Sequence, residues 1–255
     1  MTDQTKHILK IIANSLCITI LAGYCIFSIF YFKKSDEKGY CRQVEIGIED
    51  SSTYRFTNEL EVREYLQKHH LNPVDKQIGI AEANEIEQCL MGMNVCKKAD
   101  CYMGYDSTLY LRIWQRCPIF RVLPDKGKSY YIDQERTIMP ISNNFTAHLP
   151  VLSGAIERDA AKGKWFDFMQ YLQNDKHWQY MIAEVHVDSQ EQIVLSSKQG
   201  IPYIELGKLE DYANKMEKLR AWYQSYPHKN SDTIYTKITI HYDHLLFCTK
   251  SSQHE

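Results

Sequence analysis

The sequence predicts an α+β fold behind an N-terminal membrane helix. Three observations carry that reading. Residues 11–32 contain no charged side chain. Beyond them, apolar residues recur either three and four apart or two apart, the periods of helix and strand. These stretches run strand, helix, helix, strand, strand between residues 40 and 116, and a strand-rich second half follows.

The uncharged run lies between Lys10 and Lys33. It is long enough to cross a hydrocarbon core of about 30 Å as a helix. It ends in the bulky Ile29-Phe30-Tyr31-Phe32. A cleaved signal peptide has a shorter apolar core and a small-residue cleavage site. The run therefore reads as an uncleaved anchor. Lys6 and Lys10 on one flank balance Lys33 and Lys34 on the other, so flanking charge does not set the orientation. The short leading tail and long following part fit an N-in arrangement.

Each later element has its own signal. Residues 33–39 are a polar linker. Val44, Ile46 and Ile48 alternate as a strand. Asn58 followed by Glu61 has the form of a helix cap and its return partner. Leu60, Tyr65 and Leu66 give that helix its apolar face, and Leu71-Asn72-Pro73 ends it. A second helix covers Ala83 to Met91, with Ile86 and Leu90 inward and Gly92 as its stop. Strands follow at 95–105 and 109–115. After Arg116-Cys117-Pro118-Ile119, strands are expected at 129–132 and 137–141. Trp165, Phe168, Met169 and Leu172 place a helix over 164–174. Strands at 180–187, 192–196 and 201–206 precede a helix over 209–226 carrying Leu209, Tyr212, Met216, Leu219 and Tyr223. The segment 233–242 alternates, with Ile234, Ile238, Ile240 and Tyr242 on one side, and Leu245 to Thr249 is a short apolar end.

Composition narrows the function. Charged residues make up 24% and hydrophobic residues 44% of the 255, as in ordinary foldable chains. Residues 1–34 carry four lysines against Asp3 alone, which leaves the remainder net acidic. An acidic domain without a clustered basic stripe argues against nucleic-acid binding. The eight cysteines form no C-x-x-C pair, so a zinc ribbon or thioredoxin-type site is not indicated. They read mainly as small buried apolar residues. Cys96 and Cys101 fall on opposite faces of any continuous strand. His69-His70 and the H-x-x-H of His241 and His244 lack a frame for a shared metal. Ser153 lacks the G-x-S-x-G elbow, and Leu-Ser-Gly reads as a tight turn. No catalytic residue, metal site or cofactor is expected.

The order strand–helix–helix–strand–strand behind an anchor resembles a POTRA domain. Arg116-Cys117-Pro118-Ile119-Phe120-Arg121-Val122 is similar to the junction after the POTRA domain in the bacterial cell-division family FtsQ/DivIB. Tyr130-Tyr131-Ile132-Asp133, Met139-Pro140-Ile141-Ser142, Leu149-Pro150-Val151-Leu152-Ser153-Gly154 and Leu206-Gly207 leading to Tyr212 resemble its later segments, in order. The resemblance implies a cytoplasmic tail at 1–10, a transmembrane helix at 11–32, a linker at 33–39, a POTRA domain at 40–116, a mostly antiparallel β-domain with flanking helices at 117–250, and a tail at 251–255.

The resemblance further implies a type II inner-membrane scaffold of the septum that binds the bitopic proteins FtsB and FtsL. Other divisome membrane proteins would meet the POTRA domain. Partner binding in the family centres on the last strands. That points to Ile238, Ile240, Tyr242 and Asp243, with Tyr242 foremost. Asp243-His244-Leu245 stands where the family often has a hairpin glycine. The mechanism would be addition of a partner strand to an open edge. Two other readings fit the same anchor: an enzyme acting on the cell wall, and a POTRA-type chaperone for exported polypeptides.

Overall fold

A computed structural model describes residues 3–33, 38–198, 203–225, 235–242 and 245–250. The chain opens on helix α1 (Asp3–Lys33). Its described side chains from Ile12 to Phe27 are exposed and largely apolar. Among the described residues no helix is long and apolar enough to cross a membrane.

The elements that follow are β1 (Gly39–Tyr40), β2 (Gln43–Ile48), α2 (Glu59–Lys68), β3 (Gln77–Ile78), α3 (Ile80–Met91), β4 (Cys96–Met103) and β5 (Thr108–Gln115). β1 pairs antiparallel with β3, and a three-stranded sheet has the order β2-β5-β4. Asn58 caps α2 as expected: its Oδ1 accepts the backbone N–H of Glu61 at 2.9 Å. The inward face of α2 is Val62 and Leu66, whereas Leu60 is exposed. Val62 and Leu66 are one helical turn apart, and Leu60 lies off their stripe. In α3, Ile86 and Leu90 are buried, as their spacing predicts. Cys96 and Cys101 are both buried because the burial pattern of β4 slips phase across the exposed pair Lys97 and Lys98. All eight cysteines are free thiols.

The second half holds β6 (Pro118–Pro124), β7 (Tyr130–Asp133), β8 (Ile138–Pro140), β9 (Val151–Gly154), α4 (Arg158–Lys162), α5 (Lys164–Asn174), α6 (Lys176–Met181), β10 (Ile182–Val187), β11 (Ile193–Ser197), β12 (Tyr203–Gly207), α7 (Tyr212–Ser225), β13 (Tyr235–Tyr242) and β14 (Leu245–Lys250). Its strands form one nine-stranded sheet ordered β14-β13-β12-β11-β10-β9-β6-β7-β8. Five of the pairings are antiparallel, and three are parallel: β6 with β9, β9 with β10, and β12 with β13. The sheet is thus mostly antiparallel.

The segment 149–154, expected as a turn, supplies the interior strand β9. Its turn is confined to Gly154, where φ is +100°. A Cβ there would lie 2.0 Å from the Val187 carbonyl oxygen, so only glycine lets β9 close against β10. Residues 180 and 181, expected to begin a strand, end α6 instead. Asp175 starts that helix. Its carboxylate accepts the backbone N–H of His177 at 2.9 Å and receives Arg220 of α7 at 2.5 Å. Ile201 and Pro202, expected to open a strand, lie outside the described residues.

Helices α5, α6 and α7 pack their apolar stripes on the sheet. Trp165, Phe166, Phe168, Met169 and Trp178 are buried among Phe120, Leu152, Val185, Leu195 and Leu206. A smaller cluster joins Phe56 and Val95 to Tyr131 and Met139. The chain divides into two compact units. One holds 1–47, 63–90 and 99–112; the other holds 48–62, 91–98 and 113–255.

Candidate functional site

The sheet ends at β14, so the candidate site is built from β12, β13 and β14. β13 pairs parallel with β12 (Ile204 opposite Ile238) and antiparallel with β14 (Ile238 opposite Cys248). Both of its edges are therefore taken by the chain's own backbone. Ile238 and Ile240 are fully buried in the main core. Their alternation is that of a core strand, and their side chains are not open to a partner. Tyr242 closes β13 opposite Leu245. Asp243 lies outside the described residues, as does Ile234.

The rim belongs to β14. Among the described residues its far edge has no paired strand. Its inner face holds Leu246 and Cys248 against the core. Burial raises the Cys248 thiol above its ordinary pKa. Its other face carries Leu245 and Phe247, exposed at 58% and 50%. Register places Phe247 opposite Thr239, and Tyr203 of β12 opposite Lys237. Tyr203 is also 57% exposed. Between these apolar side chains, Glu205 receives Lys237 at 2.5 Å and the Thr239 hydroxyl at 3.0 Å.

An outward face with a neutralised centre and apolar flanks suits a strand that brings its own backbone bonds and apolar side chains. Sequence reasoning did not single out Leu245, Phe247 or Tyr203. The signal was present: Leu245 to Cys248 is apolar on both strand faces, unlike a strand with one wet face.

The family-like motifs have structural reasons of their own. Arg116 donates to Asp133 at 2.8 Å and to Glu135 at 3.0 Å. Burial disfavours the charge on Arg116, but the hydrogen bond and charge of Asp133, then of Glu135, outweigh it and hold the guanidinium above its usual value. The other Asp133 oxygen accepts the N–H groups of Glu135 and Thr137 at 2.9 and 2.7 Å, closing the turn between β7 and β8. The junction arginine and the Tyr-Tyr-Ile-Asp segment are thus one ion-paired clamp.

A second constellation also escaped the sequence. The Ser153 hydroxyl donates to Glu184 Oε1 at 2.5 Å and lies 2.9 Å from His186 Nδ1. The three side chains form one hydrogen-bonded group across β9 and β10. Among the described residues no cluster of three or more His, Cys, Asp or Glu is placed to hold a metal ion.

Comparison with known proteins adds the family. Residues 117–249, more than half of the chain, match the model of the FtsQ/DivIB C-terminal related domain. Residues 39–114 match that of a POTRA-like domain. No curated protein matches the chain. With the two domain models following one another in the order that the motifs indicate, the chain belongs to the FtsQ/DivIB family, whose domains point to a role in cell division.

Proposed function

We propose that this protein is a non-enzymatic divisome scaffold, anchored once in the bacterial inner membrane, whose periplasmic part holds FtsB- and FtsL-like bitopic proteins at the septum. The observation that carries the reading is the far edge of β14, which has no paired strand among the described residues and is flanked by exposed Leu245 and Phe247. An added partner strand would bond to that edge through its main chain. Leu245, Phe247 and Tyr203, together with Tyr242 and Asp243, would choose among partners by packing. Ile238 and Ile240 contribute from beneath, by fixing β13 in the core. The anchor is the uncharged run 11–32 within α1, and the polar tail before it stays in the cytoplasm. Domain limits at 40–116 and 117–250 go with the same reading.

The test is co-purification from membranes of the native host. Phe247→Glu should remove the small bitopic partners while the melting temperature of the variant stays within a degree or two. Tyr242→Glu tests the hairpin end in the same assay. Full retention of those partners by a folded Phe247→Glu protein would refute docking at this edge.

A further inference from the structure

The sheet's opposite end carries a different feature. A cavity of about 860 Å³ lies beside β7 and β8. Lys126 and Lys128, from the turn between β6 and β7, line it together with Arg158 at the start of α4. No aspartate or glutamate lines it. Among the described residues none of the three cations has an ion-pair partner. Exposed lysines usually sit near acids in a chain with slightly more acidic than basic residues, as this one has. Three cations without an ion-pair partner among the described residues therefore line one hollow.

A second, independent observation lies in the same wall. Tyr130 is only 9% exposed, and its hydroxyl is buried without a hydrogen-bond partner. Buried polar groups are ordinarily satisfied, and this hydroxyl, on a residue that lines the cavity, is not. The Arg158 guanidinium lies 5.8 Å from the Tyr130 ring centroid. Burial raises the phenol above its ordinary pKa. Ile138 and Ile156 give the cavity an apolar side. Its volume lies in the range of small-molecule sites, roughly 300–1,000 Å³.

We infer that this cavity is a site for a phosphate-bearing small molecule, its anion held by Lys126, Lys128 and Arg158 and its organic part lying against Ile138 and Ile156. A phosphate or diphosphate concentrates two or three charges on one compact group, which three cations can share. A run of acidic residues in an extended peptide spaces same-face charges about 6.6 Å apart, and matches one hollow less well. The chemistry is that of a free phosphorylated metabolite or of an anionic lipid headgroup.

The experiment uses the full chain in a neutral detergent and phosphate-free buffer. Inorganic pyrophosphate and a short-chain phosphatidylglycerol are titrated separately by calorimetry, with pentaglutamate as a third probe. Saturable one-site binding is expected. It should weaken by about tenfold or more in Lys126→Gln/Lys128→Gln and in Arg158→Gln, as loss of charge-assisted hydrogen bonds requires. Tyr130→Phe keeps the ring and should weaken it by a smaller factor.

Tighter binding of the phospholipid would assign a headgroup, and binding of pyrophosphate alone would assign a soluble phosphate. Either supports the site. Absence of saturable binding to both, or binding indifferent to all three variants, would overturn it. So would pentaglutamate binding as tightly as pyrophosphate, which would mark a docking place for acidic polypeptide instead.

Discussion

At the scale of single residues, several positions have geometry that fixes the cost of change. Gly154 has no room for a methyl group beside the Val187 carbonyl. Gly154→Ala should lower unfolding free energy by about 3 kcal/mol, through overpacking and a left-handed φ together. Urea denaturation of the wild type and the variant measures it. Asp175 both caps α6 and receives Arg220, and the Arg220 hydrogen bond is foremost in holding its carboxyl below the ordinary range. Asp175→Ala should cost about 1–2 kcal/mol, the usual loss of a cap.

The acid response of Asp175 has a definite sign. A carboxyl depressed in the folded state adds stability that is complete above its unfolded value, near 4. That stability disappears as pH falls through the lower folded value. Urea midpoints at pH 7 and pH 3 should therefore differ more for the wild type than for Asp175→Asn. The pairing role was not legible in sequence, because Arg220 lies 45 positions from Asp175 and local patterns do not record such pairs.

At the scale of elements, periodicity served best where an element was long and one-sided. The helix expected over 164–174 is α5, with the same ends, because Trp165, Phe168, Met169 and Leu172 leave one stripe to bury. Periodicity failed at β9, whose four residues follow Pro150 and end in Gly154 and so resemble a turn. It also misled at β13. Alternation of Ile238 and Ile240 marked a strand correctly, but could not tell an interior strand from a rim.

That distinction gives a paired prediction. Ile240→Ala should destabilise by about 2–5 kcal/mol, the cost of emptying a packed core position. Phe247→Glu, on the exposed face of β14, should leave stability nearly unchanged. Thermal melts of the two variants side by side check the difference. Equal losses would mean that β14 is as much a part of the core as β13.

At the scale of the whole molecule, domain order was readable because the signatures occur in sequence: the Arg116 junction, the Tyr130–Asp133 segment, the Leu149–Gly154 stretch. Sheet order was not, since parallel pairings such as β6 with β9 and β12 with β13 arise from connections that no local pattern specifies. A chain beginning at residue 38 should remain in the aqueous phase when the full chain partitions into detergent, if α1 is the anchor. Phase separation with a cloud-point detergent reads this directly. Depletion in the host should give filaments, as microscopy would show, if the division role holds.

The small aromatic cluster has a practical consequence for taking the molecule apart. Phe56 and Val95 come from the stretch that matches a POTRA-like domain, yet they cover Tyr131 and Met139 of the β-domain. A fragment started at 117 would bare those side chains to solvent and should aggregate, although the sequence offers that position as a natural cut.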